Sequence, residues 1–230
     1  MAEIVFILGN SGTGKSRSIK NLDPKDFLLF DIGNKSLPFK NELENFSSKT
    51  LTGNIVHTAD VSLISKTIDF CEKNCNFNIY IFDDFQFLMS YEYFERAKES
   101  GFQKFTDIGL KIYDILIKRL KTLPEHKICF ILSHTEDIYL DNQRFSKIKT
   151  IGKMLDQKLT VESISTITLG TYVESDPISK KINYYFITQN TGNTTCKSPE
   201  EMFDDLLIPN DLNYVVQKIK EYYPKKFNNK

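Results

Sequence analysis

The sequence predicts an α/β protein in which a mostly parallel β-sheet is covered by helices on both faces. Short apolar segments alternate with segments of helical spacing along much of the chain, which is typical of folds built from strand–helix–strand units. The apolar segments are hydrophobic almost throughout rather than at every second position, as expected for strands buried on both faces. Nearer the C terminus, two strands joined by a polar turn predict an antiparallel extension of the sheet.

The strands and helices follow from local patterns. Strands are predicted at 3–8, 27–31, 54–60, 78–84, 127–134, 163–170 and 183–189. A short helix is expected at 15–21, and a longer one begins after Asp60, which has the side chain of an N-cap. Helical spacing continues from 87 to 123 with an interruption near Gly101, and Pro124 ends it.

The 230 residues are consistent with a single domain, with a core at about 3–190 and a helical tail at about 198–224. The formal net charge is zero, so any contact with a polyanion requires a local patch. The opening apolar run is too short for a signal peptide, and no segment is long enough to span a membrane. We therefore expect a cytoplasmic protein.

A glycine-rich loop lies directly behind the first predicted strand. Gly9 and Gly14-Lys15-Ser16 fit the phosphate-loop template of a glycine, four residues and then Gly-Lys-Ser/Thr. Glycines let the backbone curl around a polyphosphate so that successive N–H groups point inward. The lysine then reaches the terminal phosphates, and the serine hydroxyl binds Mg²⁺. The predicted nucleotide-binding residues are Gly9, Asn10, Ser11, Gly12, Thr13, Gly14, Lys15, Ser16 and Arg17.

Two carboxylates follow the apolar strand at 78–84. Asp83 is predicted to bind the same Mg²⁺ as Ser16, and Asp84 to polarise the attacking water. Asp84 has an alternative role as the cap of the following helix. Lys15 and Asp84 are the predicted catalytic residues.

Ser133 and His134 end the next apolar strand. Ligands of doubly wound sheets bind at the carboxyl ends of the strands. We therefore predict that these residues approach the terminal phosphate, although a strand-end histidine with a purely structural role remains an alternative.

The segment from 142 to 155 is basic and has no acidic residue. It carries Arg144, Lys147, Lys149 and Lys153, with Phe145 among them. One interpretation is a contact with single-stranded DNA, in which the lysines bind phosphates and the aromatic ring stacks on a base. Another is that Arg144 or Lys153 enters the nucleotide site of a neighbouring subunit. A solvated loop is the third.

These motifs resemble those of phage AAA-type nucleotide-binding proteins, a group that includes RecA-like ATPases associated with single-strand annealing. The resemblance runs from Ile4 to about Phe203 and is carried by the phosphate loop, the Asp83-Asp84 and Ser133-His134 pairs, and the segments 150–173 and 184–203. It implies a three-layer, RecA-like P-loop NTPase fold and the binding of ATP and Mg²⁺. It also implies homo-oligomers on single-stranded DNA and a role in phage or prophage DNA recombination or repair, with a recombination or replication partner protein.

One departure from the family concerns the catalytic base. RecA-like proteins use a glutamate after the second strand, where this chain has Asp31. Asp84 is then the expected base, and hydrolysis is expected to be weak. Two alternatives to an ATPase remain at this stage: a small-molecule kinase, and an ATP-binding switch that recruits a partner without hydrolysis.

Overall fold

The computed structural model describes residues 1–140, 143–152 and 155–228. Its strands are β1 (Glu3–Leu8), β2 (Phe27–Asp31), β3 (Ile55–His57), β4 (Ile79–Asp83), β5 (Ile128–Ser133), β6 (Thr135–Leu140), β7 (Gln143–Ile148), β8 (Ile167–Ser175), β9 (Ile182–Ile187) and β10 (Leu207–Pro209). Its α-helices are α1 (Val61–Asn74), α2 (Phe87–Glu95), α3 (Gln103–Tyr113), α4 (Leu212–Tyr222) and α5 (Pro224–Phe227). Tighter or wider helical turns occur at Ser16–Asn21, Asp114–Arg119, Leu120–Thr122, Leu155–Leu159 and Val161–Ile164.

The central sheet has the strand order β10-β9-β8-β1-β5-β4-β2-β3. The pairings from β8 to β3 are parallel, whereas β8 with β9 and β9 with β10 are antiparallel. β5 therefore lies between the strand before the glycine-rich loop and the strand that ends at Asp83. This arrangement confirms the predicted α/β class, a mostly parallel sheet with an antiparallel extension.

Helices cover both faces of this sheet because the strands are apolar on both sides. Along β1, Ile4, Phe6 and Leu8 pack with residues of α1, α2 and α3. The intervening Val5 and Ile7 pack with the turn at Ser16–Asn21 and with α4. The parallel sheet is thus the middle of three layers, as the hydrophobic runs indicate.

The start of α1 confirms the predicted cap. Asp60 accepts hydrogen bonds from the backbone N–H groups of Ser62 at 2.8 Å and Leu63 at 3.4 Å. Ile64, Ile68 and Cys71 form the buried stripe. Among the helices that the structure describes, none combines the length and the hydropathy needed to cross a bilayer.

Two predicted elements differ from the observed ones. The strand predicted at 163–170 begins only at Ile167, because Val161–Ile164 forms a tight helical turn and the Ser165 hydroxyl donates to the carbonyl of Ile4. The helical tail predicted at 198–224 is wrong over 198–206, where the chain makes turns without a helix. There the chain follows the sheet edge, with the Thr188 N–H bonded to the Leu206 carbonyl at 3.0 Å, and enters β10.

The amphipathic placement of α1 has a testable consequence. Ile68 is fully buried, whereas Leu63 on the same helix is 45% exposed. We expect Ile68→Ala to lower the free energy of unfolding by about 2–5 kcal/mol, and the matched Leu63→Ala to change it by less than about 1 kcal/mol. Urea unfolding of both variants measures the difference, and equal losses would contradict the described packing.

Candidate functional site

The sequence motifs converge because three neighbouring strands end at the same edge of the sheet. Leu8 of β1 lies opposite Ser133 of β5, and Phe82 of β4 lies opposite Ile131. The loop after β1, the polar pair after β5 and the carboxylates after β4 are therefore adjacent. This edge is where ligands of open α/β sheets bind.

The loop from 9 to 15 has a backbone shape that its glycines make possible. Gly12 and Gly14 have φ angles of +79° and +98°, in the left-handed region. A Cβ on Gly9 would lie 1.8 Å from Oγ1 of Thr171, so β8 packs directly against the loop. Thr13 stabilises the curved backbone, because its Oγ1 donates a hydrogen bond to the Asn10 carbonyl at 2.7 Å.

Lys15 points into this loop. Its Nζ donates to the carbonyl oxygens of Gly9 at 2.7 Å and Asn10 at 2.9 Å. Burial lowers the pKa of Lys15 to about 8, although the nearby Asp84 and Asp83 oppose that change. A buried cation held only by carbonyl dipoles is well placed to exchange them for an anion.

Asp83 is the most isolated charged group of the site. It is fully buried, and neither carboxylate oxygen has a hydrogen-bond partner among the described residues. Burial raises the pKa of Asp83 to about 6, and the nearby Ser16 hydroxyl moderates that rise without making a hydrogen bond of normal geometry. An orphaned carboxylate beside a serine hydroxyl is a plausible pair of ligands for a hard cation.

Asp84 is also buried, but it is paired. Its carboxylate forms an ion pair with Lys35, and its Oδ1 lies 3.4 Å from Nε2 of His134. Burial alone would raise the pKa of Asp84, but the nearby His134 and Lys35 outweigh that effect and lower the pKa to about 2.

The backbone around Asp84 is shaped for this pairing. Asp84 has a φ of +60°, a conformation that aspartate and asparagine tolerate better than most residues. A Cβ on Gly33 would lie 2.8 Å from Oδ2 of Asp84. The segment after β2 can therefore approach the carboxylate closely only because residue 33 is glycine.

A cavity of about 350 Å³ lies against Lys15, Ser16 and Asp84, whereas the fully buried Asp83 is not among its lining residues. Its lining consists of Ser11, Gly12, Gly14, Lys15, Ser16, Arg17, Lys35, Ser36, Pro38, Asp84, His134 and Tyr184. The guanidinium of Arg17 lies 4.7 Å from the centre of the Tyr184 ring. The sequence reasoning missed Lys35, Ser36, Pro38 and Tyr184. The position of Lys35 after a strand end was a usable signal, whereas Tyr184 is brought in by long-range packing alone.

Ser133 and His134 have separate positions. His134 lines the cavity, whereas Ser133 is fully buried and its hydroxyl lies 3.3 Å from Oε1 of Gln86. The Ser133 hydroxyl therefore lies in the protein interior, outside the cavity lining, and its contact with a phosphate stays a prediction. Asp31 also has partners within the protein. Its Oδ2 accepts a hydrogen bond from the backbone N–H of Lys35 at 3.1 Å and lies 2.8 Å from Nδ1 of His57.

The predicted basic loop is largely a strand of a β-hairpin. β6 and β7 pair antiparallel, which sets Glu136 opposite Lys147 and Tyr139 opposite Arg144. Arg144 lies 2.9 Å from a carboxylate oxygen of Asp137, and Lys147 lies 3.5 Å from one of Glu136. The basic charge is therefore partly neutralised, which the segment alone did not reveal.

The base of this hairpin adjoins the glycine-rich loop. Oγ1 of Thr135 donates to Oδ1 of Asn10 at 3.1 Å, and the N–H of Lys149 donates to the His134 carbonyl at 2.9 Å. The predicted Lys153 lies outside the described residues.

The comparisons with known proteins find similarity among solved structures. No protein-family model matches the sequence, and no curated protein matches it. Among solved structures, the chain is similar to a KaiC-like protein from Pyrococcus horikoshii OT3, with a TM-score of 0.44 and 13% identity over 85% of this chain and 82% of that chain.

The two neighbouring aspartates should affect stability in opposite directions. The pKa of Asp83 rises from 3.8 to about 6 on folding, so its ionised form costs stability above pH 6, and the cost disappears below about pH 4. We expect Asp83→Asn to raise the free energy of unfolding at pH 8 by about 1–3 kcal/mol in nucleotide-free protein. This gain should fade as the pH falls from 6 to 4.

Asp84→Asn is the matched control. The pKa of Asp84 falls from 3.8 to about 2, so its charge stabilises the fold above pH 4 and loses that effect as the pH falls toward 2. We expect the free energy of unfolding of this variant to be lower by about 1 kcal/mol at pH 8. The loss is small because Lys35, the partner of Asp84, is half exposed. Denaturant titrations at pH 4 and pH 8 measure both, and destabilisation by Asp83→Asn at pH 8 would contradict the described environment.

Proposed function

We propose that this chain binds ATP with Mg²⁺ at the loop from Gly9 to Ser16 and hydrolyses the terminal phosphate. The observation that carries the proposal is the unpartnered, fully buried carboxylate of Asp83 beside Ser16 and the buried Lys15. Burying a carboxylate without a hydrogen-bond partner costs stability, and the described hydrogen bonds of Lys15 go only to carbonyl oxygens of its own loop. A polyphosphate with its cation supplies a counter-charge to each group.

The donor set fits Mg²⁺. Among the described residues there is no cluster of three or more His, Cys, Asp or Glu side chains able to hold a metal. Mg²⁺ usually takes one or two protein carboxylates and completes its shell with substrate phosphates and water. Ser16 and Asp83 are the residues that would hold it, and the ion when bound neutralises charge on the β- and γ-phosphates.

The residues of this chain would then have separate roles in binding and hydrolysis. The backbone N–H groups of the curled loop face the phosphates, and Lys15 leaves the carbonyls of Gly9 and Asn10 to contact them. Asp84 orients the attacking water as a hydrogen-bond acceptor. Its pKa of about 2 makes it a poor proton acceptor at neutral pH, but phosphoryl transfer depends mainly on positioning and charge stabilisation.

The ion pair of Asp84 with Lys35 favours a second candidate function. While that pair is closed, the carboxylate is less available to hold a water molecule. A protein that binds ATP tightly and hydrolyses it slowly would act as a switch or loader for a DNA-processing partner. Turnover measured with and without single-stranded DNA separates the candidates, since an ATPase of the resembled group is expected to be stimulated.

The same proposal includes single-stranded DNA as a partner, with a role in phage or prophage recombination, annealing or repair and with homo-oligomers on the DNA. The support is the resemblance and the hairpin β6–β7 beside the nucleotide loop. Tyr139 is 73% exposed and lies across from Arg144, whereas Phe145 is half-buried. We therefore assign base stacking to Tyr139 rather than to Phe145.

Replacing Lys15 tests nucleotide binding. Lys15→Ala removes the cation that faces the phosphates and should weaken ATP binding by about 100-fold or more. The fold should be retained, because Lys15 contacts only its own loop carbonyls among its described hydrogen bonds. Equilibrium binding with Mg²⁺ and circular dichroism measure the two properties. Unchanged ATP affinity in a folded variant would contradict the proposed site.

Replacing Tyr139 tests the DNA contact. Tyr139→Ala removes an exposed ring and should weaken binding of an oligothymidylate by about 5- to 100-fold, the usual range for one stacked base. Tyr222→Ala, on α4, is the control and should leave binding unchanged. Fluorescence anisotropy at two salt concentrations measures affinity, and equal effects of the two substitutions would remove the hairpin from the DNA-binding surface.

A further inference from the structure

Lys35 lies in the nucleotide cavity although it belongs to no recognised motif. It follows β2, its ammonium pairs with Asp84, and it lines the same cavity as Lys15. Its backbone N–H is tied to Oδ2 of Asp31 at 3.1 Å. The position of residue 35 is therefore fixed by a backbone contact, while its half-exposed side chain can turn within the cavity.

The charges of the cavity leave a role for this side chain. Lys15 and Lys35 balance Asp83 and Asp84, and a nucleoside triphosphate with one Mg²⁺ adds net negative charge. Arg17 is directed toward the Tyr184 ring. Lys15 is hydrogen-bonded to carbonyl oxygens inside the loop. Lys35 is therefore the cation that the structure places beside Asp84, the residue proposed to orient the attacking water.

We propose that Lys35 contacts the terminal phosphate of bound ATP, exchanging its ion pair with Asp84 for a charge-assisted hydrogen bond to a phosphate oxygen. This inference rests on the proposed ATP site. The exchange makes the site selective for a triphosphate over a diphosphate, because a diphosphate has no oxygen at that place. It also leaves Asp84 with His134 alone and able to accept a hydrogen bond from water. Lys35 thus provides in the same chain a positive charge that other phosphate-loop enzymes take from a second protein.

The test compares affinities for a nonhydrolysable ATP analogue and for ADP, both with Mg²⁺. Lys35→Ala should weaken the affinity for the triphosphate analogue by about 10- to 100-fold, as expected for the loss of one charge-assisted hydrogen bond. It should change the affinity for ADP by less than about twofold. Lys35→Arg keeps the charge and should recover part of the selectivity. Lys40→Ala removes an exposed lysine of the same segment that lies outside the cavity lining and should change neither affinity.

The outcomes separate this inference from the proposed function. An unchanged ratio of triphosphate to diphosphate affinity in Lys35→Ala, with normal binding by the wild type, would overturn the role of Lys35 alone. Faster hydrolysis in Lys35→Ala at unchanged triphosphate affinity would also overturn it, since Lys35 would then act only as a lock on Asp84. Absence of ATP binding by the wild type would overturn the ATP site and the role of Lys35 together.

Discussion

The arrangement of this protein depends on two adjacent carboxylates buried at the carboxyl end of β4. Asp83 and Asp84 leave the strand in different environments: neither makes a hydrogen bond of normal geometry among the described residues, but Asp84 forms an ion pair with Lys35 and lies 3.4 Å from His134. Two like charges so close and so well buried are stable only if cations surround them. The glycine-rich loop and the segment after β2 bring the cations Lys15 and Lys35 to the same edge of the sheet, and the end of β5 brings the imidazole of His134.

This requirement explains why the site is costly to the fold. Asp83 is ionised at neutral pH against a pKa of about 6, Lys15 is buried against carbonyl oxygens, and Asp84 adopts a left-handed backbone conformation. Each of these features lowers stability in the absence of a ligand. The two apolar layers that enclose the sheet offset that cost, since β1, β4 and β5 are buried along their whole length. A rigid, hydrophobic sheet therefore holds a polar site that would not be stable by itself.

The sequence predicted the fold and eight of the twelve residues that line the cavity, because both leave local signals. Apolar runs, the Asp60 cap and the glycine template each depend on residues a few positions apart. Lys35 and Tyr184 were not predicted as site residues, because their contacts join residues that are distant in sequence: Lys35 with Asp84, and Tyr184 with Arg17. The tail at 198–206 was mispredicted for the same reason: its residues suit a helix, but the Leu206 carbonyl is bonded to Thr188 just past β9, and the chain continues into β10 along that edge.

The hairpin β6–β7 extends this constraint beyond the cavity. It begins one residue after His134, which contacts Asp84, and Thr135 at its base is bonded to Asn10, whose carbonyl holds Lys15. The two sides of the cavity are therefore joined through the first residues of the hairpin. If Lys15 leaves the Asn10 carbonyl to contact a phosphate, the hydrogen bond of Asn10 with Thr135 is the nearest contact to adjust. Because Lys149 is also bonded to the His134 carbonyl, both strands of the hairpin would experience that adjustment. The proposed nucleotide site and the proposed DNA contact on this hairpin would therefore be coupled through the covalent chain and single hydrogen bonds, without any change in the packed sheet beneath them.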